Sequence, residues 1–255
     1  MTAGLSPWLL VLLGLLGLAG GVGITALGPG GVLPTIGLFT LTGLAPAEVA
    51  GTAIVTHVAT GALATAAYTR SGQLREPATR RTALMLSGTA VLGTPVGVLI
   101  NAAVSERIFG VVLGLFVAVV GALVWHRERH RPAATMPHPP LPVVATLGLA
   151  VSAAAGIVGI GGPMLTVPLL VALGVPLLES LASAQAQSIV IASVGTLGYL
   201  VNGAIDWPLA AVVGIPELAG VLLGWKIAHS LPTRKLKAVL VVTLFALAPY
   251  LALHG

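Results

Sequence analysis

Shifted by 131 positions, this chain lies over itself without a gap. Gly28-Pro29-Gly30-Gly31 falls on Gly159-Ile160-Gly161-Gly162, and Gly17-Leu18-Ala19 falls on Gly148-Leu149-Ala150. The same shift pairs Thr35 with Thr166, Gly43 with Gly174, Glu48 with Glu179, Tyr68 with Tyr199, Gly72 with Gly203, Pro77 with Pro208 and Gly93 with Gly224. A duplication of this kind narrows the architecture to two related halves. It also marks the space between them as the natural place for a site.

Composition says which solvent the halves face. Hydrophobic residues make up 56% of the chain and charged residues 7%, with a mean hydropathy of +1.04. A soluble domain carries about 25% charged residues, so this chain cannot cover a water-facing surface and belongs in lipid. Its 33 glycines and 18 prolines are tolerable in membrane helices, where neighbours satisfy the freed backbone groups. The net charge of +5 comes from short basic clusters between apolar runs, the pattern of loop charges and not of a nucleic-acid surface. With no cysteine, disulfides, thiolate metal sites and thiol catalysis are excluded. Met1 to Gly21 has no Lys or Arg ahead of its apolar run, so it is expected to be the first membrane segment and not a cleaved signal.

Glycine, proline and charge punctuate the apolar runs. Helices are expected at 7–27, 32–43, 47–69, 79–101, 105–126, 141–158, 163–173, 178–201, 207–229 and 235–253. Crossing a hydrocarbon core takes about 20 residues. The segments 32–43 and 163–173 are too short for that, and each follows a glycine cluster, which predicts buried or re-entrant half-helices. The expected organisation is a first membrane repeat over 1–126, a cytoplasmic Pro/Arg/His linker over 127–140, and a second repeat over 141–255.

Loop charge sets the orientation. If each half crosses the membrane an even number of times, Arg70, Arg75, Arg80, Arg81, Arg127, Arg129 and Arg131 face Arg107, Arg234, Lys235 and Lys237, seven against four. With an odd number, Arg107 stands alone against the other ten. The positive-inside bias selects the odd count. The expected fold is therefore an all-α polytopic membrane protein of two inverted-topology repeats, about five helical segments each, in the bacterial inner membrane.

The candidate site residues follow from that frame. A helix broken near the midplane presents unpaired N–H groups and a positive dipole end, which favour an anion. Gly28, Gly30 and Gly31, with Gly159, Gly161 and Gly162, are expected to form paired anion-facing turns. A GxGG run also resembles a nucleotide loop, but no strand precedes it and no Lys-Ser/Thr follows. The helix after each short segment carries Thr52, Thr56, His57 and Thr60 in one half, and Ser183, Gln185, Gln187 and Ser188 in the other. Spacings of three and four place Thr52, Thr56 and Thr60 along one face of their helix, and Ser183 and Gln187 along one face of theirs. From this set Thr52, Thr56, His57, Ser183, Gln187 and Ser188 are taken as substrate-binding candidates. Ionisable groups within the bilayer are costly and point to function. Glu217, whose counterpart is Leu86, and His57 are the candidate proton carriers, with His the easier to titrate near neutral pH. Glu48 and Glu179 read as first-turn carboxylates that complement a helix dipole. Gly93-xxx-Gly97 and Gly220-xxx-Gly224 read as helix-packing faces. The run His126-Arg127-Glu128-Arg129-His130 reads as a solvated charge run in the linker, not as a metal site.

Residues 20–74 and 156–208 share one pattern: a Gly-rich turn, a short apolar helix, a Gly-Leu/Val-Pro-like break, a Thr/Ser-bearing helix, then Gly and an acidic-aromatic pair. The second copy reads GIVGIGGPMLTVPLLVALGVPLLESLASAQAQS and ends in NGAIDWPLA. This pattern resembles the sulfite exporter TauE/SafE family, and the likeness extends to the tail GVLLGWKIAHSLPTRKLK. It implies a permease for small sulfur or organic oxyanions such as sulfite or sulfonates. Pro29 in the first turn, and Gly51-Thr52-Ala53 and Ala182-Ser183-Ala184 at the helix starts, depart from the pattern and leave the substrate open.

The expected function is therefore a secondary transporter or facilitator that exports small oxyanions, with no cofactor, no bound metal and no enzymatic activity. An anion-selective channel is one alternative, and a cation or metal-ion transporter is another. Expected partners are the small anion and the lipid bilayer, with a homo-oligomer possible and no nucleic acid.

Overall fold

A computed structural model describes residues 5–105, 107–112, 114, 115, 118, 119, 122 and 139–230. Most of the linker and the expected helix at 235–253 lie outside these residues. So do the charged residues Arg127, Glu128, Arg129, Arg131, Arg234, Lys235 and Lys237, together with His126 and His130. All the regular structure among the described residues is helical. Helix α1 spans Pro7–Ala26, α2 Val32–Leu41, α3 Pro46–Arg70 and α4 Pro77–Asn101. In the second half α5 spans Leu141–Val158, α6 Pro163–Ala172, α7 Leu177–Val201 and α8 Trp207–Ser230. Residues 107–112 are helical as well.

Proline and glycine set these boundaries. Pro7, Pro46, Pro77 and Pro163 open their helices, where a missing N–H costs nothing. Glu48 accepts the Ala45 N–H at 2.9 Å, capping the start of α3. Its counterpart Glu179 accepts the Thr79 hydroxyl at 3.1 Å, so both serve helix ends, as a carboxylate in a first turn should. Among the described residues, six helices are long and apolar enough to cross a membrane. Helices α2 and α6 have 10 residues each, about 15 Å at 1.5 Å per residue, half of a hydrocarbon core.

The duplication is visible in packing as well as in sequence. The first helix of each half packs along the last long helix of the other: α1 on α8, and α5 on α4. Small residues allow these approaches. A β-carbon at Gly93 would lie 2.7 Å from the Leu149 carbonyl oxygen, and one at Gly97 would strike that of Ala153. In the mirrored contact, β-carbons at Gly220 and Gly224 would strike the carbonyl oxygens of Leu18 and Val22. Helix packing in lipid draws on this kind of close approach. Within each half the same tyrosine ties the third helix to the first. Tyr68 donates to the Thr25 carbonyl at 2.6 Å, and Tyr199 to the Gly156 carbonyl at 2.7 Å.

Helices α3 and α7 pack together at the centre. Thr52, in the second turn of α3, accepts the N–H of Asp206 just past the end of α7, at 2.9 Å. Ser183, in the second turn of α7, donates to the carbonyl of Thr79 at the start of α4, at 3.3 Å. The start of each central helix thus meets the chain just beyond the other's end, a loop in one case and the first turn of α4 in the other, and the two run antiparallel. By contrast, Trp225 near the end of α8 donates to Ser71 at the end of α3, at 3.3 Å. Those two helices run parallel.

Candidate functional site

The two glycine turns meet between the halves. Gly28 and Gly159 take positive φ values of 103° and 74°, which L side chains rarely adopt, and each ends the long helix before it. A β-carbon at Gly28 would lie 2.8 Å from both the Pro163 carbonyl oxygen and Val167. From the other side, the Thr35 hydroxyl of α2 donates to the Gly159 carbonyl at 3.3 Å. The start of each short helix is thereby set against the turn of the opposite half.

His57 of α3 stands where the two turns come together. A β-carbon at Gly31 would lie 3.4 Å from His57 Nε2, and one at Gly161 would lie 3.4 Å from Cδ2 of the same ring. The Gly161 position also faces the Ser188 hydroxyl of α7 at 2.5 Å, and a β-carbon at Gly162 would lie 3.0 Å from Gln187 Oε1. His57, Gln187 and Ser188 are fully buried. His57 Nε2 and Ser188 Oγ have no hydrogen-bond partner, a condition that costs about 1–3 kcal/mol per buried group. One of these atoms, Ser188 Oγ, lies at the Gly161 turn, and the other, His57 Nε2, at the Gly31 turn.

Behind the ring lies Glu217 of α8. His57 Nδ1 is 3.1 Å from Glu217 Oε1, both side chains being fully buried; the contact is close but not aligned as a hydrogen bond. The Thr56 hydroxyl donates to Glu217 Oε2 at 2.6 Å and also lies 2.9 Å from the Ala53 carbonyl oxygen. Helix α8 can bring its carboxylate this deep because α1 is small here: a β-carbon at Gly21 would strike the Glu217 carbonyl oxygen.

The equivalent contact in the other direction is built from different groups. Gln187, counterpart of Thr56, accepts the Thr166 hydroxyl at 2.6 Å and donates to Ser152 Oγ at 3.2 Å. Leu86, counterpart of Glu217, is buried in an apolar cluster with Val144, Leu170 and Val175.

The remaining expected site residues occupy other places. Gly30 lies on the backbone of Gly23 and Ile24, and Gly159 on that of Ala50, so their immediate neighbours are the protein itself. Thr52 and Ser183 bind the segments described above. Thr35, Thr166, Ser152 and Gln185 also belong to the polar interior. Gln185 Nε2 donates to the Ile24 carbonyl at 2.9 Å, at the end of α1, and its Oε1 has no partner. The offset pairing of Thr35 with Thr166 was the signal that could have placed those two here. Among the described residues no three or more His, Cys, Asp or Glu side chains converge, so a cation at this point would meet His57 and Glu217 alone.

Comparison with known proteins adds the following. The model of the sulfite exporter TauE/SafE family matches residues 13–251. A protein of Sinorhizobium sp. described as a "probable membrane transporter protein" is 31% identical over 93 residues, 36% of this chain and 36% of that protein. The alignment therefore spans about a third of the relative's length. No solved structure gives a significant match.

Proposed function

This chain belongs to the sulfite exporter TauE/SafE family and is a multi-pass membrane transporter, and from that premise we propose that it carries small oxyanions of the sulfite and sulfonate class. In this reading the anion sits between two halves of opposite orientation. The observation that carries it is the His57 ring between Gly31 and Gly161, with His57 Nε2 and Ser188 Oγ buried and unpartnered. An oxyanion would accept from both. The starts of α2 and α6 would add backbone N–H groups and the positive ends of two helix dipoles. Opposite orientation is supported by the antiparallel α3 and α7, which are offset copies of one another. It is supported too by the end of α8 lying against the end of α3, on the side of Arg70 and Arg75.

His57, Gln187 and Ser188 are closed off from both sides, so loading and release require the halves to part first on one face and then on the other. An inside-negative potential acts only on the net charge moved, each net negative charge carried outward gaining about 2.3 kcal/mol per 100 mV. Flux in proteoliposomes across sulfite, sulfate, sulfoacetate, lactate and chloride tests the reading. Saturable sulfite or sulfoacetate flux with counterflow is expected. Equal flux of lactate and chloride would contradict the substrate class, and flux that neither saturates nor shows counterflow would make the protein a channel.

A further inference from the structure

We propose that the His57–Glu217 pair takes up one proton with each anion, so that the protein is a proton–anion symporter. The inference rests on the anion reading above and adds to it the coupling ion.

Among the described residues, the other charged groups on the surrounding helices lie towards the helix ends, and Tyr68 and Tyr199 are engaged with the Thr25 and Gly156 carbonyls. On the elements packed around it, Glu48 and Arg70 lie at the two ends of α3, Glu179 in the first turn of α7, and Lys226 and His229 towards the end of α8. Helices α1, α2, α5 and α6 carry no charged side chain, and Arg80 and Arg81 lie in the first turns of α4. Glu217 is the group that faces His57.

An ionised carboxylate buried without a counter-charge is strongly disfavoured. A pair without net charge, whether imidazolium with carboxylate or imidazole with carboxylic acid, avoids that cost. These two forms belong to the pair and not to either residue. An anion arriving at Nε2 places an uncompensated negative charge in this dry site. A second proton on the pair removes it.

That proton has a seat. The Thr56 hydroxyl carries one hydrogen and faces two oxygens, Ala53 O at 2.9 Å and Glu217 Oε2 at 2.6 Å. With Glu217 ionised, the hydroxyl donates to the carboxylate. With Glu217 protonated, the carboxyl group donates to Thr56 Oγ1, which turns its own hydrogen to Ala53 O. Each state is hydrogen-bonded, and neither needs a backbone movement. His57 is then free to be an imidazolium whose Nε2–H points between Gly31 and Gly161. The proton enters from the same aqueous phase as the anion and leaves with it. No covalent bond to the substrate forms. A monoanion then crosses without net charge, and a dianion carries one negative charge instead of two.

The probe is ethanesulfonate, an anion of so strong an acid that it carries no proton itself near neutral pH. The full chain is reconstituted in weakly buffered vesicles with the potential clamped to zero by potassium and valinomycin. Radiolabelled uptake and external pH are recorded together. The expected result is alkalinisation of the outside with one proton lost per sulfonate, and about tenfold accumulation per unit of acid-outside gradient. Glu217→Gln brings the proton count per sulfonate close to zero, and Glu48→Gln, at the far end of α3, leaves it at one. Sulfonate uptake without proton movement in the unmodified protein overturns the coupling and leaves the anion reading standing. A Glu217→Gln variant with an undiminished proton count overturns it equally. If none of ethanesulfonate, sulfite and sulfate moves, the anion reading falls, and the coupling with it.

Discussion

The interface of α3 with α8 and the interface of α7 with α4 are built from equivalent segments, yet they hold opposite chemistry. The first contains Thr56, His57 and Glu217, a buried cluster with two ionisable side chains in contact. The counterparts in the second half are Gln187, Ser188 and Leu86, of which Gln187 bonds Thr166 and Ser152 while Leu86 packs with Val144, Leu170 and Val175. What the two interfaces share is scaffold: the glycine approaches, the paired tyrosine bonds and the half-helices after their turns. Duplication has fixed the frame, and the residues at the contact where the turns meet have diverged. A site between two related halves needs the symmetry only to move. Its side chains are free to differ, and here one half places His57 and Glu217 where the other has Ser188 and Leu86.

The comparison is broken most severely through the shared frame. Gly93→Val and its offset partner Gly224→Val each drive a side chain into backbone across the halves. Backbone cannot rotate away, so both should cost more than the about 1–3 kcal/mol of ordinary overpacking. Thermal unfolding in detergent should show two similar large losses; a large loss at one position alone would mean the interfaces are not equivalent. Gly161→Val should be next, acting on transport and not on insertion. Its side chain would occupy the space in front of Ser188 Oγ and His57, and sulfite flux should fall to background while the protein still purifies as a folded, monodisperse species.

Polar substitutions sharpen the contrast. His57→Ser makes the first interface resemble the second and removes a bond to a charged ligand, worth about 1.5–3 kcal/mol. The KM for sulfite should rise about 10-fold to 100-fold by that conversion. Ser188→Ala removes a neutral donor worth about 0.5–1.5 kcal/mol, so its KM should rise only a few-fold. Equal effects would place the anion midway and deny the asymmetry. The smallest effect is expected at the tyrosines. Tyr68→Phe and Tyr199→Phe each lose one matched hydrogen bond to an α1 or α5 carbonyl. Each should cost about 0.6 kcal/mol, the usual size for such a bond in a membrane protein, and the two losses should agree.

Much of the frame was legible in the chain because its signals are local. Proline at a helix start, glycine at a break and the length of an apolar run placed the described helices within two residues of their observed ends, and the offset paired them. The face of α3 and α7 carrying the polar set was legible from helical spacing. The partner met by each residue along that face was not. Thr52 and Thr56 are four residues apart on one stripe, but the earlier one reaches a loop beyond α7 and the later one a carboxylate on α8. Glu217 and His57 were each conspicuous as buried ionisable groups. Their contact joins residues 57 and 217 across the two halves, and no spacing within one helix encodes it. The roles of Gly30 and Gly159 were hidden for a related reason, since a glycine that admits a neighbouring backbone and one that admits a ligand look alike in sequence.

The central claim is that the copies lie in the membrane with opposite orientation, and it can be tested at one matched pair of turns. Ser71 and Asn202 are offset equivalents in the turns after α3 and α7, and the chain has no cysteine of its own. Ser71→Cys and Asn202→Cys can therefore be labelled singly, in intact cells, with a thiol reagent that does not cross the membrane. The account predicts that the cysteine at 202 reacts from outside, whereas the cysteine at 71 reacts only after the cells are opened. Labelling of both from the same side would contradict it.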